Sequence, residues 1–192
     1  MRIRSASEAD VPAIMAIYRP YVEKSAVSFE TVMPDQAAFT QRFQQITAVY
    51  PWLVVEDEQG RMLGYAYASR AFARAAYDWV VDLAIYFRMD SDHHGMARTL
   101  YETLMALLRL QRVHVAYALI TGDNEASLRF HEKLGFCPAG LLRRCGYKQG
   151  RWHDVAWLEK TLIDESEAVL PLIPFDQLDQ AETARVFARE GA

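Results

Sequence analysis

A single acidic residue, Asp82, interrupts an apolar run over residues 79–86 near the middle of the chain. Burial of an unpaired carboxylate is costly, so a carboxylate in such a run requires either a partner or a function. The run is followed by a loop that contains Gly95 and by a stretch with helical apolar spacing. A strand that leads into the first turn of a helix presents backbone N–H groups that suit a phosphate. This part of the chain therefore predicts a phosphate-binding site at the start of the helix. It leaves the presence of the Asp82 carboxylate in the apolar run to be explained.

The elements around this segment follow from apolar periodicity. Five helices are predicted: one after Ser7, three over about 34–48, 93–112 and 124–134, and one within 176–189. Pro20 should kink or end the first of these helices. The helix over 93–112 joins two strands that should be parallel neighbours. The chain is therefore predicted to be an α+β protein with a mixed sheet. Its strands are predicted over residues 2–5, 52–56, 62–69, 78–88, 113–120, 137–147 and 151–161.

Composition narrows the class of protein. The 192 residues include 52% hydrophobic and 24% charged residues, which is ordinary for one folded domain. A net charge of −4 argues against a sequence-independent nucleic-acid binder, which would carry a basic surface. The chain starts without an apolar signal core, and no apolar run approaches the length of a membrane span. With two cysteines, too few for a disulfide framework, we expect a cytoplasmic protein without a nucleic-acid or membrane partner.

Two motifs, in this order and spacing, resemble a known family. The first is the strand–loop–helix segment that ends in residues 95–100, and the second is the run N-E-A-S-L-R-F-H-E-K-L-G-F over residues 124–136. Together they resemble the GNAT superfamily of acyl-CoA-dependent N-acetyltransferases, and more narrowly its phosphinothricin and methionine sulfoximine N-acetyltransferase group. Shorter supporting stretches lie at residues 27–31, 50–54, 64–68, 74–77 and 150–155.

The resemblance covers roughly residues 1–162 and implies a GNAT-type fold. This fold has a central mixed, mostly antiparallel sheet of about six or seven strands flanked by helices. The corresponding domain is expected over residues 1–163, followed by a partly helical C-terminal extension over 164–192. The resemblance also implies a homodimer that moves acetyl from acetyl-CoA to the primary amine of a small amino acid or analogue, without a metal.

The resemblance implies catalytic roles for two residues. Asp82 stands where the group has a glutamate, which implies a general base or a counter-charge for the substrate ammonium. Because aspartate is one methylene shorter, a relaying water becomes more necessary. His131 stands where the group has a proton donor for the departing CoA thiolate, and imidazolium is a competent acid near neutral pH. The alternatives are a carboxylate satisfied by local groups and a histidine on a helix surface.

Contacts with CoA are implied along the central strand, at the start of the following helix and in the second motif. Asp92 departs from the superfamily pattern, because it places negative charge where the CoA diphosphate would lie. Protonated histidines beside it would offset this charge, which gives the hypothesis of weaker CoA binding that improves as the pH falls. The implied CoA-binding residues are Leu83, Ile85, His93, His94, Gly95, Met96, Ala97, Arg98, Asn124 and Ser127.

Phe29, Glu30, Arg74 and Tyr77 are implied to bind the acceptor. A substrate of this group carries a carboxylate, which an arginine can hold through two parallel hydrogen bonds. Arg70 is a weaker match for the same role, and both arginines could instead be ordinary loop residues. Two other functions stay open, namely acetylation of another small amine or a protein amine, and a non-catalytic CoA-binding or interaction protein.

Overall fold

The computed structural model describes residues 1–91 and 95–190. Within these ranges, seven strands form one sheet in the order β1-β2-β3-β4-β5-β7-β6. The strands are β1 Arg2–Ser5, β2 Trp52–Glu56, β3 Met62–Arg70, β4 Val80–Phe87, β5 Val115–Thr121, β6 Cys137–Lys148 and β7 Arg151–Thr161. The helices are α1 Val11–Lys24, α2 Gln36–Thr47, α3 Met96–Leu110, α4 Glu125–Lys133 and α5 Gln180–Glu190. None of these described helices combines the length and the apolar character that a membrane span needs.

The sheet is mixed in the way that the sequence predicts. β4 and β5 are parallel, and every other neighbouring pair is antiparallel. The parallel pair is the one joined through α3, because strands that run in the same direction need a long crossover between them. The α+β fold with a mostly antiparallel sheet is therefore confirmed.

Helices cover both faces of the sheet because apolar residues occupy both faces of β2. Trp52 and Val54 pack with α1 and α2 in one core cluster, whereas Leu53 and Val55 pack with α3 in a second cluster. Successive side chains of a strand point to opposite faces, so a continuous apolar strand needs a layer on each side.

Pro20 does not end α1, as the sequence had allowed, because the helix continues to Lys24. A proline has no N–H to donate to the carbonyl one turn earlier, which normally weakens a helix at that point. Here the buried face extends past the proline, since Tyr18 precedes it and Val22, 1% exposed, follows it. Packing of this face therefore outweighs the lost hydrogen bond.

The segment after β7 packs against the C-terminal end of α3. Gln111, which follows α3, is fully buried, and its Nε2 donates to the carbonyl of Val49 at 2.7 Å and of Ile173 at 2.9 Å. Phe175 and Phe187 pack against the cluster that contains α3. One buried side chain therefore ties the C-terminal segment to the loop that precedes β2.

Candidate active site

β4 and β5 pair only near their N-terminal ends and then separate. Their parallel ladder ends at the pair Asp82 and Tyr117, yet β4 continues to Phe87 and β5 to Thr121. A cavity of about 160 Å³ lies in the opening between them. The backbone edge of residues 83–86 that faces β5 therefore has no strand partner in the described part of the chain. An unpaired strand edge can take an extended ligand through its N–H and C=O groups.

The N-terminus of α4 lies beside this opening. Asn124 caps the helix, because its Oδ1 accepts from the backbone N–H of Ser127 at 3.2 Å. Both residues also line the 160 Å³ cavity. The first turn of a helix carries a partial positive charge and free N–H groups, so this wall favours polar or anionic ligand groups.

Asp82 lies at the point where the two strands part. Alternation along β4 places its side chain on the same face as Ala84 and Tyr86, away from the α3 layer. Its Oδ1 is buried and has no hydrogen-bond partner among the described residues. Burial raises the pKa of Asp82 from 3.8 to about 7, against the opposing effect of a hydrogen bond from the backbone N–H of Leu83. This carboxyl group can therefore exchange a proton with a ligand near neutral pH.

His131 closes the other side of the cavity and is only 3% exposed. Its Nδ1 lies 2.8 Å from the carbonyl oxygen of Ser127, and its Nε2 lies 3.0 Å from the hydroxyl of Tyr101. A carbonyl can only accept, which assigns the proton to Nδ1 and makes Tyr101 the donor to Nε2. Burial lowers the pKa of His131 below its ordinary value of 6.5. Burial therefore favours the neutral imidazole over the imidazolium that the resemblance implies.

The titration of His131 should show this environment directly. In nuclear magnetic resonance spectra of the wild type, we expect its ring to titrate below 6.5, because burial disfavours the charged form. Tyr101→Phe removes the donor to Nε2 and should move the midpoint upward, since that hydrogen bond stabilises the neutral ring. A midpoint at or above 6.5 in the wild type would contradict the assignment.

A second cavity, of about 450 Å³, adjoins the first. The two share Val27, Tyr67, Tyr86, Leu119 and Thr121 in their walls. A ligand in one cavity can therefore extend into the other. The larger cavity is polar at its far end, where the carboxylate of Glu30 and the guanidinium of Arg42 form an ion pair.

The loop that carries Phe29 is held against the β6–β7 hairpin. Lys148 Nζ donates to the carbonyl of Ser28 at 2.6 Å. The Phe29 ring lies so close to Gly146 that a Cβ there would be 2.1 Å from its Cε2. Only glycine leaves room for this contact, so the hairpin fixes one wall of the larger cavity.

Comparison with known proteins identifies the family. Residues 3–157 match the acetyltransferase (GNAT) domain family, which is most of the chain. The protein belongs to the GNAT acetyltransferases. Both the family and the GNAT-type fold expected from the sequence are thereby confirmed.

Individual relatives of this GNAT acetyltransferase have named activities. The phosphinothricin N-acetyltransferase of Streptomyces viridochromogenes is 37% identical over 160 residues, which cover 83% of this chain and 87% of the relative. The L-methionine sulfoximine/L-methionine sulfone acetyltransferase of Pseudomonas paraeruginosa is 34% identical over 164 residues, covering 83% and 94%. The crystal structure of a GNAT superfamily phosphinothricin acetyltransferase from Sinorhizobium meliloti, in complex with AcCoA, matches with a TM-score of 0.82 and 32% identity, covering 90% and 97%.

Eight of the residues expected at the GNAT site meet around the two cavities, whereas six described ones line neither, namely Arg74, Tyr77, Gly95, Met96, Ala97 and Arg98. Arg74 is exposed and Tyr77, 42% exposed, packs against Phe72, and neither lines a cavity. Arg70 is paired with Asp78 at 2.6 Å. In this structure, therefore, none of the three contacts the space predicted to hold the acceptor. The residues brought together are Asp82, Leu83, Ile85, Asn124, Ser127 and His131 around the first cavity, and Phe29 and Glu30 around the second.

The start of α3 is described only in part. Gly95 has a φ of 83°, a conformation that favours glycine, and the space around it is open. Met96 and Ala97 pack against the core, while Arg98 is paired with Glu102 at 2.9 Å. Asp92, His93 and His94 lie outside the described residues. The hypothesis of pH-dependent CoA binding through these three residues stays a prediction.

Arg42, Tyr67 and Tyr86 are among the cleft residues that were not predicted from the sequence as site residues. Tyr67 lines both cavities. The signal was its register, because Tyr67 stands opposite the small side chain of Ala84, which leaves space beside the ring. Arg42 follows Phe39 by one helical turn on α2, so it is a charge on an apolar face, and such a charge calls for a partner.

Proposed function

We propose that this GNAT acetyltransferase transfers the acetyl group of acetyl-CoA to the primary amine of a small amino acid or amino-acid analogue. The observation that carries the proposal is the carboxyl group of Asp82, which has an unpartnered oxygen and a pKa of about 7 at the opening between β4 and β5. Relatives named for phosphinothricin and for methionine sulfoximine and sulfone support an acceptor of this size and type.

The opening suits the extended arm of acetyl-CoA. The free edge of residues 83–86 can pair with the amides of the arm, as a further strand would. Asn124 and the first turn of α4 supply polar groups on the opposite wall. Gly95, with open space around it at the start of α3, allows close approach of a phosphate to the backbone. The acceptor then occupies the larger cavity, which meets the first at Tyr67 and Tyr86.

The reaction joins the amine nitrogen to the acetyl carbonyl carbon and breaks the carbon–sulfur bond. The amine must lose a proton, and Asp82 is the proposed acceptor of that proton, directly or through one water. The departing sulfur gains a proton, for which His131 is the residue predicted from the sequence. Because the Nδ1–H of His131 now donates to Ser127, the ring must first gain a proton or exchange this partner to act as the acid.

Turnover assays test the proposal. Purified protein is mixed with acetyl-CoA and L-methionine sulfoximine, L-methionine sulfone or phosphinothricin, and released CoA thiol is measured while mass spectrometry identifies the product. We expect an N-acetylated product from at least one of these acceptors. Acetylation confined to a polyamine or a peptide amine would replace the acceptor class. Retained CoA binding without turnover of any amine would instead indicate a non-catalytic protein.

We also propose that the enzyme is a homodimer joined through the β6–β7 hairpin. β6 is an edge strand of 12 residues with exposed apolar side chains, among them Leu141 at 49% and Leu142 at 47%. A long apolar edge is a site for pairing with another chain, and a second copy offers the same edge.

Leu142→Glu should therefore shift the wild-type dimer toward monomer in sedimentation or light-scattering measurements. Val169→Glu, at a more exposed apolar site outside the hairpin, is the control, and a monomeric wild type would refute the proposal.

A cytoplasmic location is the remaining part of the proposal. Cys137 and Cys145 are free and exposed, which suits a reducing compartment. Fractionation of cells that express the protein, followed by immunoblotting, tests this location.

A further inference from the structure

Lys148 is a buried lysine that lies outside both cavity walls. It is the last residue of β6 and pairs with Arg151 across a turn of two residues, Gln149 and Gly150, whose φ angles are 52° and 77°. A turn with two positive φ angles matches the twist of the paired strands and makes a tight hairpin. Lysine is rarely buried unless its ammonium group is paired. The ammonium group of Lys148, which is 7% exposed, therefore needs acceptors within the protein.

The acceptors of Lys148 are two backbone carbonyl groups outside the hairpin. Its Nζ donates to the carbonyl of Ser28 at 2.6 Å and to that of Tyr21 at 3.4 Å. Tyr21 is in the last turn of α1, where carbonyls lack partners within the helix and the helix dipole favours a cation. One side chain of the hairpin therefore joins the end of α1 to the loop over residues 26–31.

This loop forms one wall of the larger cavity through Ser28, Phe29 and Glu30. Ser28 Oγ is hydrogen-bonded to the Tyr18 hydroxyl at 2.5 Å and accepts from the backbone N–H of Glu30 at 3.2 Å. Burial lowers the pKa of Lys148 below its ordinary value of 10.5, and the negative charge of Glu30 opposes this effect, so the two groups lie near each other. Lys148 therefore supports the cavity wall from behind.

Side chains, rather than the backbone, set the conformation of the loop. In the described part of the chain, no backbone N–H or carbonyl of residues 26–31 is hydrogen-bonded to another backbone group. Backbone polar groups that are shielded from water need other partners, and the carbonyl of Ser28, in a residue only 5% exposed, has Lys148. The position of this wall therefore depends on the hydrogen bond from Lys148.

We propose that Lys148 is a positioning residue, which holds the loop over residues 26–31 in the conformation that binds the acceptor. This inference rests on the proposed function, because it takes the larger cavity as the acceptor site. When only a fraction of the molecules has the loop in place, the apparent affinity for the acceptor falls by that fraction. Acetyl-CoA is proposed to bind along β4 and α4, which lie outside the contacts of Lys148.

Steady-state kinetics of Lys148→Met test this role with an amino-acid analogue that the wild type acetylates. Methionine has a long unbranched side chain without an N–H donor. We expect the KM for the acceptor to rise about tenfold, the scale of one lost hydrogen bond to a charged group. The kcat at saturating acceptor and the KM for acetyl-CoA should stay near their wild-type values. Lys24→Met, at an exposed lysine in the last turn of α1, is the control and should keep all three constants.

Hydrogen exchange, measured by mass spectrometry, reports on the loop itself. Peptides that cover residues 26–31 should exchange faster in Lys148→Met than in the wild type, whereas peptides from β3 should keep their rates. Saturating acceptor should restore slow exchange in the variant, because the bound acceptor then orders the loop.

Two results with a folded Lys148→Met would overturn the inference: unchanged exchange of the loop, or equal increases in the KM values for acceptor and acetyl-CoA. If the variant does not fold, the free wild type decides, because loop exchange as fast as that of the exposed turn over residues 58–60 would show that Lys148 does not hold the loop. Absence of turnover with every analogue would overturn the proposed function, and this role with it, whatever the exchange rates are.

Discussion

Replacement of Asp82 by asparagine is expected to lower kcat/KM for the acceptor by about 10²–10⁴-fold, the range found for loss of a general base. The wild-type rate should rise with pH through about 7, because only the ionised carboxylate can take the amine proton and burial raises the pKa of Asp82 to about 7. The variant should lack this step. Initial rates of CoA release between about pH 5.5 and 8.5 measure both effects.

The glutamate variant of the same residue is the matched control. Asp82→Glu keeps a carboxylate and should retain more activity than Asp82→Asn, whatever the change in reach. Full activity in Asp82→Asn would show that Asp82 is not the base. Unchanged far-ultraviolet circular dichroism of both variants would establish that they are folded.

The stability of the folded protein should also depend on the ionisation of Asp82, but unlike the rate it should fall as the pH rises. The folded-state pKa of Asp82 lies above its ordinary value, so the stability that its neutral form contributes is present at low pH and is lost as the pH rises through about 7. Asp82→Asn cannot ionise, and above pH 7 it should have a higher Tm than the wild type. The difference should shrink at acidic pH, where the wild-type carboxyl is neutral.

Gln111→Met is the second large expected change, and it affects folding rather than chemistry. Methionine has a similar volume but no N–H, so the carbonyl of Ile173 would lose its buried donor, whereas the carbonyl of Val49 would keep the backbone N–H of Phe175 at 2.9 Å. We expect the free energy of unfolding to fall by about 1–3 kcal/mol, from one buried acceptor left unsatisfied. Chemical denaturation, followed by tryptophan fluorescence, measures this loss. At temperatures well below the transition, kcat/KM should stay at the wild-type value, since Gln111 borders neither cavity.

An exposed glutamine provides the comparison. Gln44 makes one hydrogen bond on the protein surface, to Glu8 at 2.8 Å. Gln44→Met should change the free energy of unfolding by no more than about 0.5 kcal/mol. Equal effects of the two substitutions would mean that the buried bridge does not hold the C-terminal segment in place.

The sheet was largely predictable because its signals are local. The segments over residues 52–56 and 62–69 predict the strands β2 and β3, and the helix between β4 and β5 predicts their parallel pairing. The continuation of α1 past Pro20 was harder, because it depends on burial of Tyr18 and Val22 by other elements. Periodicity describes one segment, whereas that burial is a property of the assembled fold.

The cleft was only partly predictable for the same reason. Asp82 stood out as a charge in an apolar run, and its surroundings in the structure give that charge a raised pKa. The separation of β4 from β5 after Asp82 leaves no mark in either strand's sequence. Arg42 comes from α2, distant along the chain, and Arg74 and Tyr77 were expected from a motif that does not specify their orientation.

The gap between β4 and β5 also links the lifetime of the protein to the supply of its co-substrate. One half of the sheet joins the other through a ladder that stops at Asp82 and Tyr117. An acetyl-CoA molecule paired with the free edge of β4 would act as the missing strand. A ligand that binds only the folded state adds about 2.7 kcal/mol of stability at 100 times its Kd. In a cell depleted of acetyl-CoA, the enzyme would therefore unfold more often and be degraded sooner, so its abundance would follow the metabolic state.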